Sequence, residues 1–444
     1  MIRIVPDYSV RGCHSFMRGV YMVKDLKAVD KIVINAGELV TAAGNSDRPK
    51  VGTELNNLGL IQNGAVAIKG DRIEAVGTTE SVIEQVEVTA KTKVIDARGK
   101  TVMPGFVDPH THIIFGSTRE KELGLRIEGA EYLEILKAGG GILGTVESTR
   151  QTSEDELYYA GKQRLDTFLK EGVTTVESKS GYGLDTATEL KQLRVANKLG
   201  KTHPADVVHT FLGAHAIPKE HKDNPDKYIE IVVEEMLPRV IEENLAEFCD
   251  VFCEEGVFNI DQSRKVLQTA RTKGILPKIH ADEINPLGGA ELAAELGAVS
   301  ADHLGKATDR GIKEMAEKGV VAVLLPGTLF FLMKDEYARG RRMVEEGVPV
   351  ALSTDRNPGS SPTESMSLIV SLACLKMKLL PSEAINAATI NAAHAINRGH
   401  LIGSIEKGKQ ADIVIFDMPN HEYLPYHYGI NHVERVIKKG TIVV

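Results

Sequence analysis

The run Gly105-Phe106-Val107-Asp108-Pro109-His110-Thr111-His112 sets two histidines two residues apart at the end of an apolar stretch. Residues two apart on a strand point the same way, so a strand reaching His112 projects both imidazoles to one face. Two neutral imidazoles on one face are good ligands for zinc or iron. The spacing alone is a weak signal, and its weight comes from runs further along the chain. KIHADE ends a fifth apolar run at His280, with Glu283 three residues later. SADHLG carries a sixth to His303, and VALSTD an eighth to Asp355.

Eight such runs end near His112, Ser180, His215, Glu255, His280, His303, Pro326 and Asp355. Helix-forming stretches follow them, among them residues 188–200, 260–274 and 310–319. Continuous apolar strands with helical crossovers predict a buried parallel sheet. Eight βα units fit a closed barrel better than an open sheet. The expected class is therefore α/β, a (β/α)8 TIM-like barrel. Barrel enzymes keep their sites at the C-terminal strand ends, where all five of these His and Asp residues fall. Residues 131–171 read as an insertion-rich connection beside the barrel mouth.

A different texture flanks the barrel. Residues 31–103 and 403–444 are short β-like runs between turn signals such as Asn63-Gly64 and Gly70-Asp71. Neither piece has enough strands to fold alone, so together they predict one small β-domain that the chain leaves and re-enters. The expected division is an extension over 1–28, poorly ordered, β-domain over 29–103 and 401–444, and barrel over 104–400. Residues 1–26 have neither the apolar core nor the cleavage site of a signal peptide. Met22 opens a more usual start for such a fold, and residues 1–21 are expected to be dispensable.

Composition narrows the function class. A chain of 444 residues with 42% hydrophobic and 26% charged residues has an ordinary globular make-up. The net charge of −8, with both signs interspersed, argues against a nucleic-acid surface. No run reaches the roughly 18 apolar residues of a membrane span. The four cysteines, Cys13, Cys249, Cys253 and Cys374, form no C-x-x-C pair and read as buried hydrophobes in a reducing, cytoplasmic compartment. An apolar outer barrel face leaves a homodimer open.

A metal held by His110, His112, His280 and Asp355 would leave room for water. Bound water falls from a pKa of 15.7 toward about 7, which gives hydroxide at neutral pH. Glu283 sits near enough to move protons between that water and a departing nitrogen. His303 could polarise a carbonyl or hold the hydroxide.

These residues resemble the amidohydrolase superfamily and, within it, the imidazolonepropionases, the ring-opening enzymes of histidine degradation. The marks are PGFVDPHTHIIFGSTRE, ESKSGYGL, FLGAHA, KIHADE, ADHLG and STDRNPGSSPTES, and the likeness runs from about 29 to 444. The resemblance implies an amidohydrolase barrel with a small β-sandwich built from both chain ends. It implies one zinc or ferric iron ion per subunit on His110, His112, His280 and Asp355. It implies substrate contacts at Arg119, Tyr182, His215 and Glu283, and at Asn357, Gly359 and Ser360. The implied reaction converts 4-imidazolone-5-propanoate and water to N-formimidoyl-L-glutamate, with Glu283, His303 and Asp355 as the catalytic set.

The local chemistry is consistent with this. A propionate needs a cation, and the Arg119 guanidinium can grip a carboxylate with two parallel bonds. Tyr182 lies in a glycine-flanked loop at the end of the second strand. Asn357 to Ser360 form a turn directly after Asp355. Lys179 falls on the second strand and is not read as the carbamylated lysine that bridges two metals in some relatives. Arg356, where an apolar residue is expected, either adds a second cation or points away. The competing reading is a deaminase of the same superfamily acting on an aminopurine or pyrimidine. It would use the same histidines and aspartate but has no need of carboxylate-binding hardware.

Overall fold

The computed structural model describes residues 26–129 and 140–444. The expectations for residues 1–25, Met22 included, and for 131–139 of the long connection lie outside the described residues.

Eight parallel strands follow one another in chain order. They are β1 (Phe106–Asp108), β2 (Val173–Lys179), β3 (Asp206–Ala214), β4 (Phe248–Cys253), β5 (Leu276–Ala281), β6 (Ser300–His303), β7 (Val321–Leu324) and β8 (Val350–Leu352). All seven residues of β2 are buried, as a parallel strand covered on both faces requires. The crossover helices match the predicted stretches to within two residues at each end: Thr186–Thr202, Ile260–Thr272 and Asp309–Lys318. Each starts on a side chain that accepts from the first turn, Asp185, Asn259 and Thr308 respectively. Such caps contribute about 1 kcal/mol apiece.

The seam between β8 and β1 closes differently from the other seven contacts. Its one backbone bridge joins Thr111 to Arg356, and side chains do the rest. The buried Asp108 carboxylate accepts from the hydroxyls of Ser353 and Thr354 and from Thr354 N. This is the near-closed (β/α)8 barrel expected from the sequence.

The first run stops earlier than predicted. The strand ends at Asp108 and not at His112, because Pro109 has no N–H to continue the ladder. His110 and His112 stand just beyond it, on a segment pinned from both sides. Lys179 N donates to Thr111 O at 2.9 Å, and His112 N to Arg356 O at 2.8 Å. The eighth run is also shorter, since Asp355 has turned into the left-handed region with φ 52°.

A second eight-stranded sheet lies beside the barrel. Its strands Lys31–Val40, Leu60–Lys69, Arg72–Thr78, Lys93–Asp96 and Thr101–Pro104 come from the N-terminal side. Ile413–Phe416, Val433–Lys438 and Thr441–Ile442 come from the C-terminal side. Ile413–Phe416 pairs antiparallel with Thr101–Pro104, so both ends of the chain build one sheet. Val33, Leu39, Val66, Val102, Ile413 and Ile437 are among its core. Lys27–Ala28 pairs with Val86–Glu87 in a separate two-stranded piece. Only Gly105 separates this sheet from β1. Among the described residues no helix is long and apolar enough to cross a membrane.

Candidate active site

His110, His112, His280 and Asp355 meet at the C-terminal mouth of the barrel, each no more than 2% exposed. One ring nitrogen from each histidine lies within 4.8 Å of the others. Asp355 Oδ1 stands 3.5 Å from His110 Nε2 and 3.9 Å from His112 Nε2. Burial first, then the neighbouring cations and histidines, push all three imidazoles well below the usual histidine range. They are therefore neutral, the form that binds a metal. His110 Nε2 and His280 Nε2 are buried with no hydrogen-bond partner among the described residues. Buried polar atoms are rarely left unpaired, so this donor set fits a zinc or ferric ion.

Glu283 and His303 flank that centre. Glu283 Oε2 lies 3.7 Å from His303 Nδ1, and the His303 ring is 5.2 Å from His280 and 5.3 Å from His110. Burial, with the charges of Asp355 and Glu254 behind it, pushes the Glu283 carboxyl up to about 8. Its backbone is held on both sides. Asp282, at φ 49°, accepts from the N–H groups of Gly288, Gly289 and Ala290. Glu254 accepts from Ile284 N at 2.9 Å and Asn285 N at 3.1 Å. Left-handed backbone at Asp282, His303 and Asp355 costs about 1 kcal/mol or more each. The surrounding bonds hold that strain at the strand ends.

The predicted substrate contacts line one side of the same mouth. The His215 ring stacks on His112 at 4.9 Å and 9°. Its Nδ1 lies 2.9 Å from Gly181 O; a carbonyl only accepts, so Nδ1 carries the proton. A Cβ at Gly181, which has φ 102°, would stand 2.8 Å from that nitrogen. The Tyr182 ring lies 5.6 Å from His112 and 5.4 Å from His215. Arg119 differs from expectation. Its Nε and Nη2 both donate to Glu122, at 2.9 and 2.8 Å, so the two-bond fork is already engaged. Nη1 remains, facing Gly359 so closely that a Cβ there would stand 2.1 Å away. Asn357 uses both ends of its amide on the turn, accepting from Gly359 N and Ser360 N and donating to Asp355 O. It therefore shapes the turn that carries Gly359 and Ser360. Arg356 pairs with Glu364 at 2.5 Å and with the ring face of Phe115, and its Nη1 donates to Asn357 O at 3.1 Å. Arg126 Nη1 donates to Gly359 O at 2.8 Å, so Arg119 is one of three arginines at that turn.

Below the histidines lies a charged floor. Asp302 Oδ2 accepts from His110 Nδ1 at 2.6 Å. Asp250 Oδ2 is 3.0 Å from His280 Nδ1, an approach too oblique for a good hydrogen bond. Lys179 stands among these carboxylates in an all-buried ion cluster, as an ordinary ammonium.

Known proteins are similar to this chain in sequence and in fold. A family model described as the amidohydrolase family matches residues 101–443. An imidazolonepropionase of Geobacillus sp. (strain WCH70) is 58% identical over 411 residues, covering 92% of this chain and 97% of its own length. One from Shouchella clausii (strain KSM-K16) is 57% identical over 410 residues, 92% of each chain. This chain belongs to the imidazolonepropionases of the amidohydrolase family. Solved structures share the fold at much lower identity. An adenosine deaminase from Xanthomonas campestris with bound zinc has a TM-score of 0.70 at 20% identity, over 94% of this chain and 93% of that one. The E. coli guanine deaminase has a TM-score of 0.70 at 16% identity, over 93% and 99%.

Several supports of this imidazolonepropionase-type site were not read from the sequence. Glu122 holds Arg119, Glu254 holds the Glu283 loop, and Asp302 holds His110. Glu189 holds the Tyr182 loop through the N–H groups of Gly181, Gly183 and Leu184. Only Glu122 had a local signal, because an acidic residue three after an arginine at a helix start is a natural partner.

Proposed function

We propose that this protein hydrolyses the ring of 4-imidazolone-5-propanoate, giving N-formimidoyl-L-glutamate. The observation that carries this reading is 58% identity to an imidazolonepropionase over nearly the whole of both chains. The buried His110, His112, His280, His303 and Asp355 gathered at the barrel mouth support it.

A zinc or ferric ion on His110, His112, His280 and Asp355 would supply hydroxide at neutral pH and polarise the ring carbonyl. The residues of the chain do the remaining work. Glu283 takes the proton of the attacking water on a carboxylate oxygen. Water oxygen adds to the carbonyl carbon, the adjacent C–N bond breaks, and Glu283 returns the proton to the departing ring nitrogen. His303 holds the carbonyl oxygen from the other side. Arg119 Nη1 meets the propionate, and Tyr182 and His215 wall the ring against His112. The Asn357 turn sets Gly359 and Ser360 beside that carboxylate.

The same reading assigns one metal ion per subunit and a place in the cytoplasm. Free Cys249, Cys253 and Cys374 support a reducing compartment. The test is to incubate the protein with imidazolone propionate, follow loss of the ring's ultraviolet absorbance, and analyse the metal in the same sample. Turnover with about one metal per chain is expected. A metal-loaded protein that leaves the imidazolone intact but deaminates a nucleobase would overturn the reading.

A further inference from the structure

The floor under the proposed ligands holds five charged side chains, all out of solvent: Glu177, Lys179, Asp250, Lys278 and Asp302. The hydrolysis uses none of them. Ion pairs sealed in an interior lose hydration and often add no net stability, so stability alone is a poor reason for this cluster.

The arrangement of its atoms suggests a better one. Lys179 Nζ lies 2.8 Å from Asp250 Oδ2, 3.0 Å from Glu177 Oε2 and 3.3 Å from Asp302 Oδ2. Its hydrogen bonds go to Asp250 Oδ2 and, at 3.2 Å, to Glu177 Oε1, while Asp302 Oδ2 is held as an ion pair. Asp302 Oδ2 is the same atom that accepts from His110 Nδ1 at 2.6 Å. Asp250 Oδ2 is the same atom that stands 3.0 Å from His280 Nδ1. The opposite oxygens are tied elsewhere. Ser300 Oγ donates to Asp302 Oδ1 at 2.6 Å, and the N–H groups of Val251 and His280 reach Asp250 Oδ1 at 2.7 and 3.1 Å. Neither carboxylate can rotate without breaking several bonds. A carboxylate has no proton to give, so His110 Nδ1 carries one and Nε2 keeps its lone pair. Nε2 of His110 and of His280 are the atoms left buried without a partner among the described residues.

We infer that Lys179 is a positioning residue for the metal centre: one ammonium hydrogen-bonds Asp250 and ion-pairs with Asp302, and through them sets the tautomer of His110 and the orientation of His110 and His280. The inference rests on the metal centre proposed above. It differs in sign from the simplest electrostatic account. A lysine that only placed positive charge near a cation would repel it, and its removal would tighten zinc. A lysine that holds the partners of the ligands loosens zinc when removed. Loss of such outer partners weakens metal binding by roughly 10- to 100-fold.

The test measures zinc affinity of the full chain, stripped of metal, by competition with a chromophoric chelator. Lys179→Met is expected to bind zinc roughly 10- to 100-fold more weakly than wild type. Unchanged or tighter binding would overturn the inference. If Lys179→Met does not fold, Asp302 variants carry the test, because Lys179 then keeps two carboxylates. Asp302→Ala should show a loss of the same order, and Asp302→Asn, which keeps an acceptor oxygen for His110, should recover most of it. An Asn variant as weak as the Ala variant would show that charge and not position matters, and would also overturn it. Wild-type protein that takes up no zinc or iron would instead refute the metal centre itself.

Discussion

Replacing Arg119 with methionine removes the cation proposed to meet the substrate's propionate, and the structure sets the size of the effect. Arg119 directs Nε and Nη2 at Glu122, so an incoming carboxylate meets the Nη1 edge and not the full fork. One charge-assisted hydrogen bond contributes about 1.5–3 kcal/mol. At about 1.4 kcal/mol per tenfold, affinity should fall roughly 10- to 150-fold. The contact is remote from the breaking bond, so KM should rise by most of that factor while kcat falls little. The fold should tolerate the change. Glu122 keeps Arg126 Nη2 at 3.2 Å and Gly141 N at 2.7 Å, so no carboxylate is left buried and unpaired. Steady-state kinetics on imidazolone propionate, with a melting curve of the same preparation, provide the measurement. A wild-type KM would remove Arg119 from the site. A melting temperature lowered by many degrees would show instead that Glu122 depends on Arg119 for the fold.

Other perturbations separate the remaining roles. Glu283→Gln should keep its metal and lose roughly 10²–10⁴ in turnover, whereas His280→Ala should lose most of the metal; metal loss in the Gln variant would make Glu283 a ligand. Gly359→Ala puts a methyl group 2.1 Å from Arg119 Nη1, so it should raise KM as Arg119→Met does, and an unchanged KM would place the substrate elsewhere. Lys50 tests pH dependence far from the metal. Burial pushes its ammonium from 10.5 down to about 8, so between those values the unfolded chain binds more protons. Stability should therefore be lowest below the window and rise with pH across it. The melting-temperature difference between wild type and Lys50→Met should grow in favour of wild type from pH 7.5 to 10, and a flat difference would mean that Lys50 stays charged in the fold.

The barrel was legible because its strands carry continuous apolar runs that stop at chemistry-bearing residues. His280 and His303 fall within β5 and β6, and Asp355 follows β8 by three residues. The misjudged boundary has a local cause, since strand alternation says nothing of a proline that withholds its N–H, and Pro109 ends β1. A second cause is the left-handed residue. With His303 at φ 77°, Asp302 and His303 both serve the site although neighbours on a regular strand face opposite ways. Alternation would have sent one of them outward. Long-range pairs were beyond reach for another reason. Asp302 and His110 are 192 residues apart, and hydrophobic patterning carries no register for a charge pair across a barrel. The Glu122 partner of Arg119 was not legible, because an arginine near a carboxylate substrate and an arginine near Glu122 look alike until Glu122 is placed.

Thr101–Pro104 sits between Lys31–Val40 and Ile413–Phe416 in the second sheet, and it runs into β1 after a single residue. On a ribosome, this strand is made some three hundred residues before the partner that covers its open side. Until then its bare edge is a place where another nascent chain could pair. The delay also reaches the chemistry. The first two histidines hang from a strand whose mooring is incomplete until Ile413–Phe416 arrives. A nick in the loop after Phe416 would then matter less than one just before Ile413, since only the latter cuts that mooring from the barrel.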